Sequence, residues 1–551
     1  MNYKNQVCEH SMSASEEYFS VVIQNGNLID GVNKEQKNVD IGISGTVIAK
    51  IAPGGTLKGT TLINASGSTV CPGFVDIHSH ADYTILLDGR GQSSVIQGVT
   101  SIVPGNCGHG IAPLTDVSRE LVPMNIFGWR ADSEVKPTWT AFGGYMDALR
   151  ERGVGPNVFP LVAHGAIRLA IAGFDDRALT DSELKQAQEM LHDALASGAV
   201  GLSTGLEYAP GISSTTEELV TIAKAAQGFD AVYATHCRNR SDHMAQAAQE
   251  AVDIAISGNM RLQMSHYIRR PYATDKMVDD AWAVLDSAKA QGVAVKADVF
   301  PFDYGPTPLA VLIPPSMRKG SREDIAKNLQ DVDFQARIAA GLGGMFGAAV
   351  ANGMVDSMYI ACDGQDGSLI GLSLGELARK QEISVEACAV KLLADAGQDF
   401  YCVTIVENWV RWEDLVDALS DSDFFVMGDG ATGAVDGPAS TFAFALADWG
   451  YTPRYLSQFV RDLKVVSLED AVFRLATGPA QQFGLKDRGT IEIGKKADIV
   501  VFDLETVGSE VTPTALRVLP TGISHVLVNG EIVVDNFNLT NALPGQVGLT
   551  R

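Results

Sequence analysis

The sequence predicts an α/β protein: a (β/α)8 TIM-type barrel, a small β-sandwich built from both chain ends, and an inserted lid subdomain. Three observations predict it. The middle of the chain alternates eight short apolar runs with helical segments. The two ends share a different texture, of short strands separated by hairpin turns. The first apolar run of the middle, Pro72-Gly73-Phe74-Val75-Asp76-Ile77, closes on His78-Ser79-His80. Two imidazoles spaced i, i+2 leave an extended strand on the same face, ready to hold one divalent metal from one side.

The elements follow in order. Residues 1–17 are polar, without the apolar stretch of a secretory signal, and are expected to form a flexible tail. Val21-Val22-Ile23, Val39-Asp40-Ile41-Gly42-Ile43 and Val47-Ile48-Ala49-Lys50-Ile51 read as strands of the first sandwich half, 18–70. The barrel is expected over 71–484, with strands at 74–80, 99–104, 158–164, 200–203, 232–236, 262–266, 293–299 and 424–428. A helix over 182–197 opens on the capping box Thr180-x-x-Glu183 and stops at Gly198; a second is expected over 216–226. The rhythm breaks at about 302–355, where the insertion is placed. Ala497-Asp498-Ile499-Val500-Val501-Phe502 and Val526-Leu527-Val528-Asn529-Gly530-Glu531 return the chain to the sandwich, 485–551. A doubly wound open sheet competes with the barrel, and periodicity alone does not separate them.

Composition narrows the function. A net charge of −24 over 551 residues argues against nucleic acid or an anionic membrane surface as partner. Seven scattered cysteines make no disulfide framework. No apolar run has the length of a membrane span. A cytoplasmic enzyme acting on a small molecule is expected.

The chemistry lies at the strand ends. Besides His78 and His80, His236 and His266 each end a predicted strand, Cys107 follows the second strand, and Asp429 follows the last. A lone histidine at a strand end is more often a hydrogen-bonded structural residue. Four of them, with a thiol and a carboxylate at the same ends of successive strands, converge on one rim of a barrel and suit one or two Zn²⁺ sites. His164 ends the third predicted strand and is expected to contact substrate or the groups behind the ligands.

These residues resemble the amidohydrolase superfamily, and within it the D-aminoacylase (N-acyl-D-amino-acid deacylase) family. The resemblance rests on the His78-Ser79-His80 segment, Gly105-Asn106-Cys107-Gly108, Gly201-Leu202-Ser203-Thr204-Gly205-Leu206-Glu207-Tyr208-Ala209-Pro210-Gly211, Ala234-Thr235-His236-Cys237-Arg238, Ser265-His266 and Gly428-Asp429-Gly430. It implies that Cys107, His236 and His266 hold a tight zinc while His78, His80 and Asp429 line a second, weaker position. Binuclear relatives such as hydantoinases bridge their metals with a modified lysine. Here Lys136, Lys185 and Lys224 lie on no predicted strand, and Cys107 fills that place. The resemblance also implies that Asp429 carries the proton from the attacking water to the leaving nitrogen. It implies that Tyr208 donates a hydrogen bond to the carbonyl oxygen or to substrate, and Arg238 is expected to contact substrate.

The chain departs from the family where substrate is gripped. Ile268 stands two residues after His266, where the family carries a lysine, and Ala439 stands in the place of an arginine. Arg269 and Arg270 come one and two positions late. The loss of a charge-assisted clamp implies a substrate that lacks the usual α-carboxylate or binds it differently; Tyr267, Phe302, Tyr304 and Phe442 are expected either to line a more apolar pocket or to pack in the core or lid. The leading reading is a zinc-dependent hydrolase of a linear amide. A cyclic amidase, lactonase or carbamate hydrolase on the same metal rim is the alternative, and a silent scaffold the weaker one.

Overall fold

The computed structural model describes residues 17–32, 37–270, 273–342 and 344–549. Of the expected tail, all but Glu17 lies outside these residues. Eight parallel strands form the centre: Phe74–Asp76, Val99–Ile102, a third in two pieces (Asn157–Val158 and Val162–Ala163), Gly201–Gly205, Val232–His236, Arg261–Met264, Val295–Val299 and Phe424–Val426. The third strand is split because Pro160 has no N–H to give the ladder. Its neighbours span the gap, with Leu161 N donating to Pro104 O and Val200 N to Pro160 O.

Closure decides between barrel and open sheet. The eighth strand pairs in parallel with the seventh. Beyond its end, Asp429 N donates to His78 O at 2.9 Å and His80 N to Gly430 O at 2.7 Å. First and last strands are therefore neighbours, and the sheet is a closed barrel. Its strands are almost wholly buried, which is why they read as continuous apolar runs rather than as alternating ones. The helix Asp181–Ala196 begins with the reciprocal Thr180–Glu183 capping box.

The two chain ends meet by hydrogen bonding. Thr69–Pro72 pairs antiparallel with Ile499–Phe502, joining five N-terminal and four C-terminal strands into one nine-stranded sheet. Ile23, Ile43, Ile48, Val70, Ile499 and Leu527 share its separate core.

Between the seventh and eighth barrel strands the chain builds another unit. Thr404–Asn408 lies between Tyr304–Pro308 and Met358–Cys362, antiparallel to both. Leu309, Ile325, Ile338, Leu377, Leu393 and Ile405 form its core. This unit runs to Asn408, well past the 302–355 expected, because its central strand is the last to be made. No helix among the described residues is long and apolar enough to cross a membrane.

Candidate metal centre

The closed barrel brings the strand ends together. His78, Cys107, His266 and Asp429 are all buried, and each offers one ligand atom within 4.8 Å of the others. Cys107 Sγ stands 3.1 Å from His78 Nε2 and 3.4 Å from His266 Nε2. Asp429 Oδ1 lies 3.3 Å from His78 Nε2 and 3.1 Å from His80 Nε2. Three of these residues adopt left-handed backbone that non-glycine residues rarely visit: Cys107 (φ 53°), His266 (φ 35°) and Asp429 (φ 50°). Close packing forces glycine beside them: a Cβ on Gly205 would sit 2.1 Å from the Cys107 carbonyl oxygen.

Charge favours the ligating forms. Burial pushes the Cys107 thiol up, but the imidazoles of His78 and His266 outweigh it and hold the thiol well below its usual range. Burial likewise raises Asp429, yet His78 and His80 leave its carboxyl below the ordinary carboxylate range. His266 is pushed down to about 4 by burial and by the Arg240 guanidinium. A thiolate, imidazoles and a carboxylate converging on one point are a donor set for a divalent transition metal. His80 Nδ1 is buried with no hydrogen-bond partner in the protein.

His236 stands slightly apart from the four. Its ring centroid is 4.6 Å from that of His266. Its Nε2, however, is bound by Glu207 Oε2 at 2.6 Å, which leaves Nδ1 for a metal. A supporting carboxylate also serves the other half of the centre. Asp298 Oδ1 accepts the His266 N–H at 2.6 Å and faces His78 Nδ1 at 3.3 Å, while Gln263 Nε2 donates to Oδ2 at 2.8 Å. Asp298→Asn is expected to weaken metal affinity about 10–100-fold, measured by competition with a chromogenic chelator.

Above the cluster lies a cavity of about 270 Å³. Tyr208 lines it, and its hydroxyl donates to the Cys107 carbonyl at 2.8 Å, holding the thiol's loop. The apolar wall is Phe127, Phe300, Phe346, Trp409 and Phe444; the expected Tyr267, Phe302, Tyr304 and Phe442 are absent from it. Those four pack into the main core, two of them as fully buried side chains.

Other expected contacts fall elsewhere. Ile268 is buried and lines a separate surface hollow with Tyr267 and Arg269, and Ala439 is buried in a loop outside the cavity. Arg238 spends its guanidinium on Glu250 and the carbonyls of Ile212 and Ser214. Arg240, two residues on, lines the cavity, with Nη1 2.9 Å from His266 Nδ1.

His164 opens the helix His164–Ala172 rather than ending a strand, and it packs on Ser214 and Glu218. Glu218 also accepts from Arg168 at 2.5 Å and from the Leu179 N–H at 3.0 Å. Burial raises the Glu218 carboxyl, but His164, Leu179 and Arg168 more than offset it, and it is lowered to about 2. A carboxyl depressed in the folded state stabilises above its unfolded pKa of 4.5 and loses that contribution as pH falls through about 2. Glu218→Gln is therefore expected to cost roughly 2 kcal/mol at pH 7 after allowance for solvent screening. The gap from the parent should close between pH 4.5 and 2, as followed by thermal unfolding. A gap that widened on acidification would refute the assignment.

Sequence reasoning missed Asp298, Glu207 and Arg240, and set Arg270 aside as standing too late, although it lines the cavity. Asp298 had a signal: it is the acidic residue in the buried apolar strand Val295–Val299. Glu207 sits within a motif already singled out, next to Tyr208.

A closed barrel with a strand-end cluster of histidines, a thiolate and a carboxylate defines a class of metal-dependent hydrolase. The chain matches the amidohydrolase family over residues 61–340 and 427–534 and belongs to it. It is a hydrolase of carbon–nitrogen bonds outside peptides. Within the family it falls in the D-aminoacylase branch. It is 30% identical over 516 residues to N-acyl-D-glutamate deacylase of Alcaligenes xylosoxydans xylosoxydans, covering 94% of this chain and 93% of that one. It is 28% identical over 529 residues to D-aminoacylase of the same organism, covering 96% and 97%. The crystal structure of N-acyl-D-glutamate deacylase from Bordetella bronchiseptica, complexed with zinc and a phosphonate mimic of the tetrahedral intermediate, superposes with a TM-score of 0.78 at 26% identity. It covers 96% of this chain and 99% of that one.

Proposed function

We propose that the chain is a zinc-dependent hydrolase of linear N-acyl amides. The carrying observation is the cluster of His78, Cys107, His266 and Asp429 within 4.8 Å, of which Cys107, His266 and Asp429 line the cavity. Cys107, His266 and His236 through Nδ1 would hold one zinc, and His78, His80 and Asp429 a second, weaker one. When bound, zinc supplies Lewis acidity that polarises a carbonyl and acidifies an attacking water to near pH 7.

The protein's own groups do the rest. Asp429 is held ionised by His78 and His80, so it can take the water's proton and return it to the leaving nitrogen. Tyr208 holds the Cys107 loop. The aromatic wall excludes water and receives the apolar part of the substrate. Thr307, Leu312 and Phe346 reach the cavity from the inserted unit, which supports its role as a lid.

The amide is the bond the named relatives cleave; the grip on the rest of the substrate differs, since neither Ile268 nor Ala439 reaches the cavity. The purified protein is expected to carry zinc and to release amine from a library of small N-acyl compounds. Chelation should abolish that activity and zinc should restore it. A zinc-loaded protein that released no amine from any member would sink the reading.

A further inference from the structure

The two guanidiniums lining the cavity face one carboxylate. Arg240 Nη2 lies 3.3 Å and Arg270 Nη2 3.7 Å from Glu207 Oε2, and the same oxygen accepts from His236 Nε2 at 2.6 Å. No other arginine or lysine lines the cavity among the described residues. Paired guanidiniums beside a hydrolytic centre are the natural seat for a substrate carboxylate, because their planar donors match its geometry. In this chain the seat is taken by a side chain of the protein. Glu407, buried on the same cavity and with its carboxyl pushed up by that burial, accepts from Thr307 Oγ1 at 2.7 Å. An incoming carboxylate would therefore compete with Glu207 for both guanidiniums and meet like charge.

We infer that Glu207 is a specificity-determining residue that fills the cavity's anion position, so that the preferred substrate carries no carboxylate beside its scissile amide. The inference rests on the amide-hydrolase reading and says which N-acyl compounds satisfy it. It also gives Glu207 two tasks, orienting His236 and excluding substrate acids, which must be told apart.

The test compares N-acetyl-D-leucine with N-acetyl-3-methylbutylamine, the same skeleton without the carboxylate, by amine release from the zinc-loaded protein. The parent is expected to favour the neutral compound in kcat/KM by at least about tenfold. Glu207→Gln keeps an acceptor for His236 and removes the charge. It is expected to move the ratio of acid to neutral kcat/KM at least about tenfold toward the acid. Glu207→Gln with Arg270→Gln should lose that gain. A parent that prefers the acid overturns the proposal without any variant. So does a Glu207→Gln protein in which both activities and zinc content fall together with the ratio unmoved, the mark of a residue that only orients His236. If the zinc-loaded parent cleaves neither compound nor any other amide, the amide-hydrolase reading fails and takes the inference with it.

Discussion

Asp429→Asn is expected to lower kcat about 10³-fold, within the range general acid–base catalysis supplies, while KM changes little. The substitution keeps the shape of the side chain and an oxygen for His80, 3.1 Å away. It removes only the basic electron pair. The surroundings show why that pair matters. Burial would favour the protonated acid, but two imidazoles within 3.3 Å keep the carboxyl ionised. Asp429 sits in a left-handed turn, with its Oδ1 3.3 Å from His78 Nε2 and 3.1 Å from His80 Nε2. Since Asp429 is also in line to hold a metal, kinetics should be read beside zinc content. Loss of activity with zinc retained assigns proton transfer to Asp429. Loss of both assigns it to holding the metal, and undiminished kcat excludes either task.

The barrel was legible because its signals are local. Each of the eight expected strands exists, since a buried parallel strand is a short apolar run bounded by turns, and that pattern survives in one dimension. The metal ligands were legible for a related reason. Every barrel strand points the same way, so residues at strand ends meet whatever the loops do. Position along a strand was enough to group His78, Cys107, His266 and Asp429.

What failed depends on direction and partner. Arg238 and Arg240 are both basic and both follow His236 closely. Only the fold shows that Glu250 claims the first while the second turns to His266. Ile268 was marked as standing where the family carries a lysine, but nothing in its neighbours revealed that Arg240 and Arg270 would both meet Glu207. The cavity wall came from residues far apart in sequence, Phe127, Phe300, Trp409 and Phe444, and no periodicity links them. The length of the insertion was missed because its central strand, Thr404–Asn408, lies 95 residues beyond the partner Leu309 that its preceding residue Val403 bonds.

Cys107→Ala should cost the protein its tight metal, with affinity falling by more than about 10³-fold, beyond the 10–100-fold typical of losing a supporting hydrogen bond. Activity should fall with it, to a trace recoverable only at high added zinc. Cys107 Sγ is central to the cluster, 3.1 Å from His78 and 3.4 Å from His266, and it is the one thiolate there. Without it, the imidazoles lose the anion that draws them together, and only nitrogen and carboxylate donors remain. Alanine is the informative replacement. It keeps the Cβ and so carries the same cost of the left-handed backbone at φ 53° as cysteine does, whereas glycine would relieve that cost and mix two effects. The loop itself should persist, because Tyr208 binds the carbonyl of residue 107 and not its sulfur. An unchanged far-UV spectrum with less than a tenth of the parent's zinc by elemental analysis is the expected result. Full zinc content in the variant would transfer the tight site to His78, His80 and Asp429, and would reverse the order of affinity assigned to the two halves of the centre.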